Sequence, residues 1–411
     1  MRLSHFEHFA PRCPACVWRA RGADPSRAPA FDCAPMPALA LERIESREGA
    51  GSDGGGVIVH GALRCLDCGE RFPIIDGVPI IVADVNEQLR RHSGAILRRR
   101  DLPSGIEDFV SEAIGPDDAS ARTMLYTSAY AWDHYGVGGV GGASGSGDDG
   151  REEHGDAVRV LRRLTEMAGN RLGGARGVQR VLDVGCATGG ASFELGAMVG
   201  ELACESRSAS ELGGGLVLGI DMHLAMLRVA QASLRTGVAE YALRHEGVVY
   251  SRVRAAVEAR RMRQAHRVDF WCCDALCMPF ASASIDACAS LHTLEAVANP
   301  AGLLSELARV TRGGEEGQGG RVLLATPFDW TQSVTAMEHW LGGRAAHAPH
   351  GGDGASVLEW LLREGAPSGS GIDRLRVMER DDMNWRVRLY ARATTHYRTH
   401  LLACEVRDPQ S

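Results

Sequence analysis

Two Cys-x-x-Cys pairs stand near the start of the chain, Cys13-Pro-Ala-Cys16 and Cys65-Leu-Asp-Cys68. Thiolates two residues apart reach one ion through a single tight turn, and two such turns complete a tetrahedron, so the spacing predicts a closed, structural zinc site. A second set of chemical residues lies in the middle of the chain. Arg180–Val184 is an apolar run that enters the turn Gly185-Cys186-Ala187-Thr188-Gly189-Gly190. Small residues there let the backbone approach a ligand closely. Asp183 stands two residues before the first glycine. Its carboxylate repels a pyrophosphate and attracts a cation that carries an ammonium or sulfonium group.

Further acids follow at comparable places. Asp221 follows the run Leu216–Ile220, and Asp274 comes two residues after Val268–Cys272. Alone, each acid reads equally well as a strand-end cap or a solvated loop residue. Their order at the ends of successive strands argues for one shared ligand.

These residues must be positioned by alternating elements. Helical periodicity begins at Asp156, with Val160, Leu161 and Leu164 on one side. Strands are expected at Arg180–Val184, Leu216–Ile220, Val268–Cys272, Ile285–Ser290 and Arg321–Ala325, with helices opening at Ala191 and running over Leu224–Leu234 and Pro300–Thr311. That alternation implies a parallel sheet covered on both faces. Arg386–Arg392 and Tyr397–Val406 read as a terminal antiparallel strand pair at the sheet edge. Near the start, Arg71–Ile75 and Val78–Val82 flank Asp76-Gly77, a hairpin signal. A helix capped by Asp84 or Asn86 is expected to run toward Arg98–Arg100, whose charges suit a solvated C-terminal end. Gly136–Gly150 is a linker or mobile loop by composition, and residues 205–215 read as a surface insertion.

The central motifs resemble those of class I S-adenosylmethionine (SAM) methyltransferases, over roughly residues 125–406. That resemblance implies a Rossmann-like sheet with the terminal strand pair added. It also implies cofactor contacts from Asp183, Gly185, Cys186, Ala187, Gly189, Asp221, Met222, Asp274, Ala275 and Leu291. Ala187 departs from the usual middle glycine. Narrower runs are similar to the mercaptohistidine N-methyltransferase domain of the ovothiol-biosynthesis enzyme: Tyr130–Gly136, Val181–Leu195, Gly237–Gly247, Cys273–Leu276, Thr326–Trp330 and His339–Gly343. Ser290–Val297 differs from that family, and its sulfoxide synthase domain is not in this sequence. The resemblance implies methyl transfer to a nitrogen or sulfur of a small molecule such as a histidine- or thiol-imidazole-like acceptor. His134, Tyr135 and His292 are the expected substrate-positioning residues, with Asp329 and Trp330 beside them. Packing roles for Tyr135 and Trp330 remain open at this level. The segment around the second cysteine pair resembles the short zinc ribbons of the Trm112-like type.

The expected organisation is a zinc ribbon with a long insert at 1–86, a helical connector with the glycine-rich loop at 87–150, and the methyltransferase domain at 151–411. Cys33 is an alternative metal ligand without a paired cysteine. Cys272, Cys273 and Cys288 read as small buried residues.

Composition sets the outer limits. The chain has 411 residues and a formal net charge of −7. That charge disfavours a protein whose main partner is a nucleic-acid backbone. RNA or protein recruited through the ribbon, and a non-catalytic SAM-fold adaptor, are the competing readings. No apolar run approaches the roughly 20 residues that span a bilayer. Met1–Ala10 lacks an apolar signal segment, so a cytoplasmic location without membrane partners is expected, with reduced thiols.

Overall fold

The computed structural model describes residues 1–20, 37–48, 56–97, 119–136, 155–169, 178–205, 215–344 and 349–408, and single positions at 106, 110, 113 and 172. Cys33, Arg98–Arg100, residues 137–150 of the glycine-rich stretch and residues 206–214 of the central insertion lie outside the described residues.

The chain begins with α1 (Leu3–Phe9) and α2 (Pro14–Ala20), then four strands, β1 (Leu39–Glu48), β2 (Val57–Cys65), β3 (Arg71–Ile75) and β4 (Val78–Ile81). The strands pair antiparallel in sequence order. Asp76 and Gly77 both take positive φ, 53° and 87°, as a two-residue hairpin turn requires. β4 then pairs parallel with a central strand, setting Ile80 beside Cys272 and Ile81 beside Cys273. The first segment therefore continues the main sheet instead of standing apart as a separate layer. Burial explains the join. Val78, Ile80 and Ile81 are fully buried, so β4 reads as a two-faced interior strand.

The helix expected to run from Asp84 to Arg100 is broken. α3 (Val85–Arg91) is capped by Asp84, whose carboxylate accepts from Glu87 N at 2.8 Å. It stops at His92, where the Ser93 hydroxyl donates to Arg90 O at 2.9 Å, and α4 (Ser93–Leu97) follows. A serine that bonds a last-turn carbonyl competes with the helix ladder.

The remainder alternates as expected. In order come α5 (Ala119–Tyr135), α6 (Ala157–Met167), β5 (Arg180–Val184), α7 (Gly190–Glu205), β6 (Leu216–Asp221) and α8 (Leu224–Thr236). A hairpin, β7 (Val238–Glu246) and β8 (Val249–Ala256), forms its own two-stranded sheet. Then follow α9 (Ala259–Arg263), β9 (Val268–Cys273), β10 (Ala287–Leu291), α10 (Pro300–Val310), β11 (Arg321–Thr326), α11 (Gly354–Trp360), β12 (Leu375–Tyr390) and β13 (Ala393–Val406). The fourth strand thus starts two residues later than the expected Ile285; Ile285 makes only an isolated bridge to Thr311. The terminal pair is antiparallel at the edge, as expected, but β12 begins at Leu375 instead of Arg386.

Among the described residues, the large sheet has eleven strands in the order β1-β2-β3-β4-β9-β6-β5-β10-β11-β13-β12. Six of them, from β4 to β11, run parallel. The connections leave β5 toward β6 on one side, while β10 pairs on the other. A crevice opens at the carboxyl ends of strands where the order reverses in this way. Trp271, Phe270, Phe193 and Phe280 fill the core beneath it. Among the described residues, no helix is long and apolar enough to cross a membrane.

Candidate active site and cysteine cluster

The crevice is built around the turn after β5. Gly185 and Gly189 take φ of 77° and 90°, and Ala187 adopts 48° despite its Cβ. A Cβ on Gly185 would come within 2.1 Å of Thr293 Oγ1, so that position admits only glycine. Two features hold Ala187 in the left-handed region. Gly185 and Cys186 donate their amides to Ile220 O, and Ala187 N donates to Asp221 Oδ2 at 2.9 Å. The other oxygen of Asp221 accepts from His223 N at 2.7 Å. Both carboxylate oxygens are thus oriented by backbone, and the glycine turn is tied directly to the end of β6.

Asp183 is 1% exposed, and its carboxylate accepts from Ser192 Oγ at 2.6 Å. Burial pushes its pKa up to about 7, and the nearby Asp221 adds to the rise. Such a carboxyl is poised to ionise when a cation arrives. Asp274 follows β9 and accepts from Leu276 N at 2.8 Å. In register, Asp221 lies beside Cys272, so Asp221 and Asp274 sit at adjoining strand ends. Met222 and Ala275 follow the two acids in sequence and are half-buried. Asp183, Gly185, Cys186, Ala187 and Leu291 line one cleft.

α5 closes the other side. His134 Nδ1 lies 3.1 Å from Gly190 N and 2.8 Å from Thr188 Oγ1. Tyr135 donates its hydroxyl to Thr188 O at 2.5 Å. Both side chains thus direct their polar atoms at the glycine turn. His292, just beyond β10, packs on Trp385 with ring centroids 3.8 Å apart and planes tilted by 30°, and meets Tyr397 edge-on at 5.4 Å. Its Nε2 is 2.9 Å from Thr399 Oγ1, and burial lowers its pKa to about 3, so the ring is neutral. Asp329 is exposed and interacts with Tyr397. Trp330 stacks on Trp340 at 6.4 Å and takes a packing role there.

Sequence reasoning missed Tyr130, Asp133 and Trp385, all of which line the cleft. Trp385 Nε1 donates to Asp133 Oδ2 at 2.9 Å, and burial raises the Asp133 pKa to about 7. Glu295, buried just past β10, accepts from Thr326 Oγ1 at 2.9 Å and is raised to about 7 for the same reason. For Trp385 the only signal is an aromatic residue inside a long polar stretch.

Residues 182–315 match the family described as "Methyltransferase domain". Over that stretch the chain carries a methyltransferase domain. No curated protein matches the chain. Among solved structures, it is similar to a SAM-dependent methyltransferase from Methanosarcina mazei, at 15% identity over 56% of this chain and 94% of that one, with a TM-score of 0.35. It is also similar to an arsenic(III) S-adenosylmethionine methyltransferase from Chlamydomonas reinhardtii, at 18% identity, 61% and 73% coverage and a TM-score of 0.32. A third is phosphoethanolamine N-methyltransferase 2 from Haemonchus contortus in complex with S-adenosyl-L-methionine, at 14% identity, 76% and 62% coverage and a TM-score of 0.34. The methyltransferase assignment rests on the family match.

The four cysteines of the two pairs converge elsewhere, at the start of the sheet. Their Sγ atoms all lie within 4.8 Å of one another. Cys13 and Cys68 are 3.7 Å apart and Cys16 and Cys65 are 3.8 Å apart. A tetrahedral site with Zn–S bonds of about 2.3 Å requires sulfurs about 3.8 Å apart. The donor set and its spacing fit a zinc ion.

Proposed function

We propose that the protein transfers the methyl group of SAM to a nitrogen or sulfur of a small molecule, a histidine- or thiol-imidazole-like acceptor. The observation that supports this reading most is the cleft in which Asp183, the glycine turn and the aromatic residues Tyr130, His292 and Trp385 face one another. SAM supplies an electrophilic methyl group on a sulfonium. In this reading Asp183 takes the α-ammonium, Asp221 the ribose hydroxyls, and Asp274 with Ala275 the adenine edge. The buried carboxyl of Asp183, whose donors are the neutral hydroxyl and amide of Ser192, suits a cationic partner.

The reaction asks chiefly for alignment and exclusion of water. An imidazole nitrogen with a pKa near about 6.5 already exposes its lone pair at neutral pH and needs no strong base. The neutral His292 ring, backed by Trp385, offers an aromatic surface suited to a ring acceptor. The local runs similar to the mercaptohistidine N-methyltransferase support the same class.

The four-cysteine cluster is read as a structural Trm112-like zinc site, closed by four thiolates and without an open coordination position. A transfer screen with tritiated SAM against histidine derivatives, thiol-imidazoles, peptides and total RNA tests the function. Label on a small imidazole compound is expected. Label found only on RNA or peptide would replace the acceptor class, and failure to bind SAM in a calorimeter would remove the enzyme reading altogether.

A further inference from the structure

We propose that helix α3 and its C-cap, contributed by the N-terminal segment, supply Gln88 and His92 to the adenosyl end of the cofactor site. This rests on the SAM reading above. A glycine turn and acids at strand ends account for the floor of such a site. The wall over Asp221 and Asp274 comes here from residues outside the matched methyltransferase stretch, which begins at residue 182.

Three observations converge on that wall. Gln88 is 3% exposed, and its Nε2 donates to Met222 O at 2.6 Å and to Cys272 Sγ at 3.2 Å. Met222 directly follows Asp221, and Cys272 is two residues before Asp274. The Gln88 amide therefore bridges the two acidic strand ends. Second, His92 meets His223 edge-on with ring centroids 5.4 Å apart. The Asp221 carboxylate acts on His92, and burial lowers the His92 pKa to about 4, so its ring is neutral. Third, His223 Nδ1 is buried and has no hydrogen-bond partner among the described residues. A buried polar atom of that kind calls for an explanation. A ribose hydroxyl shared with Asp221 would satisfy it, and the His92 ring offers an apolar face to the nucleoside.

The helix is fixed well enough to serve. Asp84 caps its start, and β4, immediately before it, is paired to β9. Beyond it, the guanidinium of Arg228 bonds Ala95 O and pairs with Asp76 at 2.7 Å. On the SAM reading, the ligand class is a purine nucleoside that carries a free ribose diol.

Calorimetric titrations of the full chain with SAM and with 5′-methylthioadenosine test the proposal, with thermal melts of each variant alongside. His92→Ala should raise the dissociation constants of both ligands by the same factor, about two- to tenfold, the size of a lost ring contact. His92→Phe, which keeps a ring, should recover most of the affinity. Arg90→Ala, on the exposed side of the same helix, should leave it unchanged. Should His92→Ala melt within the assay range, His92→Leu carries the same expectation. Equal affinity in a folded His92→Ala, or a loss confined to SAM, overturns the proposal while leaving the SAM reading intact. A wild-type chain that binds neither ligand overturns both.

Discussion

His134 Nδ1 accepts the amide of Gly190 at 3.1 Å, and Gly190 is the first residue of α7. A helix leaves its first amides without partners, so this imidazole acts as an N-terminal cap supplied by another helix. The bond requires Nδ1 to be unprotonated, and burial lowers the His134 pKa to about 3, so the ring stays neutral. The close packing also explains Gly190, where a Cβ would meet His134 Cβ at 2.5 Å.

His134→Ala should therefore loosen the glycine turn. Removal of a cap costs about 1 kcal/mol, so a lower melting temperature is expected, together with weaker SAM binding in calorimetry. Tyr135→Phe, which deletes only the hydroxyl bond to Thr188 O, should give a smaller change in both. A His134→Ala variant with lowered melting and unaltered SAM affinity would confine the residue to a structural role.

The pH response follows from the buried acids. Asp183, Asp133 and Glu295 are each raised to about 7 by burial. The folded chain keeps these protons where the unfolded chain, with ordinary carboxyl values, has lost them. Ligand-free protein should thus gain a stabilising contribution from these groups as pH falls from about 7 toward the ordinary carboxyl range. SAM binding should respond in the opposite sense, because the α-ammonium is held by ionised Asp183. Affinity should drop below pH 7 by up to about tenfold per unit. Asp183→Asn should weaken binding and flatten that slope. Titrations from pH 5.5 to 8 that show no slope in the wild type would contradict the role.

The sequence carried some of this architecture openly and hid the rest. β5 and the acids after it were legible because a two-faced interior strand is a continuous apolar run, and Asp183 interrupts it at a fixed distance from glycine. The cysteine pairs were legible because ligand spacing is local. β12 was hidden: as an edge strand with one wet face it carries Arg376, Glu379, Arg380, Asp381 and Asp382 within a few residues. Trp385 therefore looked like a lone aromatic in a charged stretch. The pairing of β4 with β9 was hidden for another reason. Which strands pair across some 190 residues is a matter of topology, and no local pattern around Ile80 or Cys272 records it.

That pairing sharpens the expectation for zinc. Purified protein should contain about one zinc per chain, and Cys65→Ser should lose it. Because β1 to β4 belong to the main sheet, metal loss should lower the melting temperature of the whole molecule in a single transition. A separate early transition, with the main melt unmoved, would mean that the first segment unfolds on its own. Folded wild type free of zinc would contradict the metal reading.

Trp385 allows the acceptor side to be separated from the cofactor side. Its indole nitrogen bonds Asp133, and its ring packs on His292. Trp385→Phe keeps a ring and deletes the donor, leaving the Asp133 carboxyl with the backbone amides of Asp156 and Ala157. An unsatisfied buried polar group costs about 1–3 kcal/mol, which a denaturant melt would read. Trp385→Ala also removes the ring that backs His292. Its KM for an imidazole acceptor should rise well beyond that of Trp385→Phe, while the dissociation constant of SAM stays within about twofold, since none of the acidic strand ends is touched. Equal acceptor KM values for the two variants would show that the indole holds Asp133 and does not hold the acceptor.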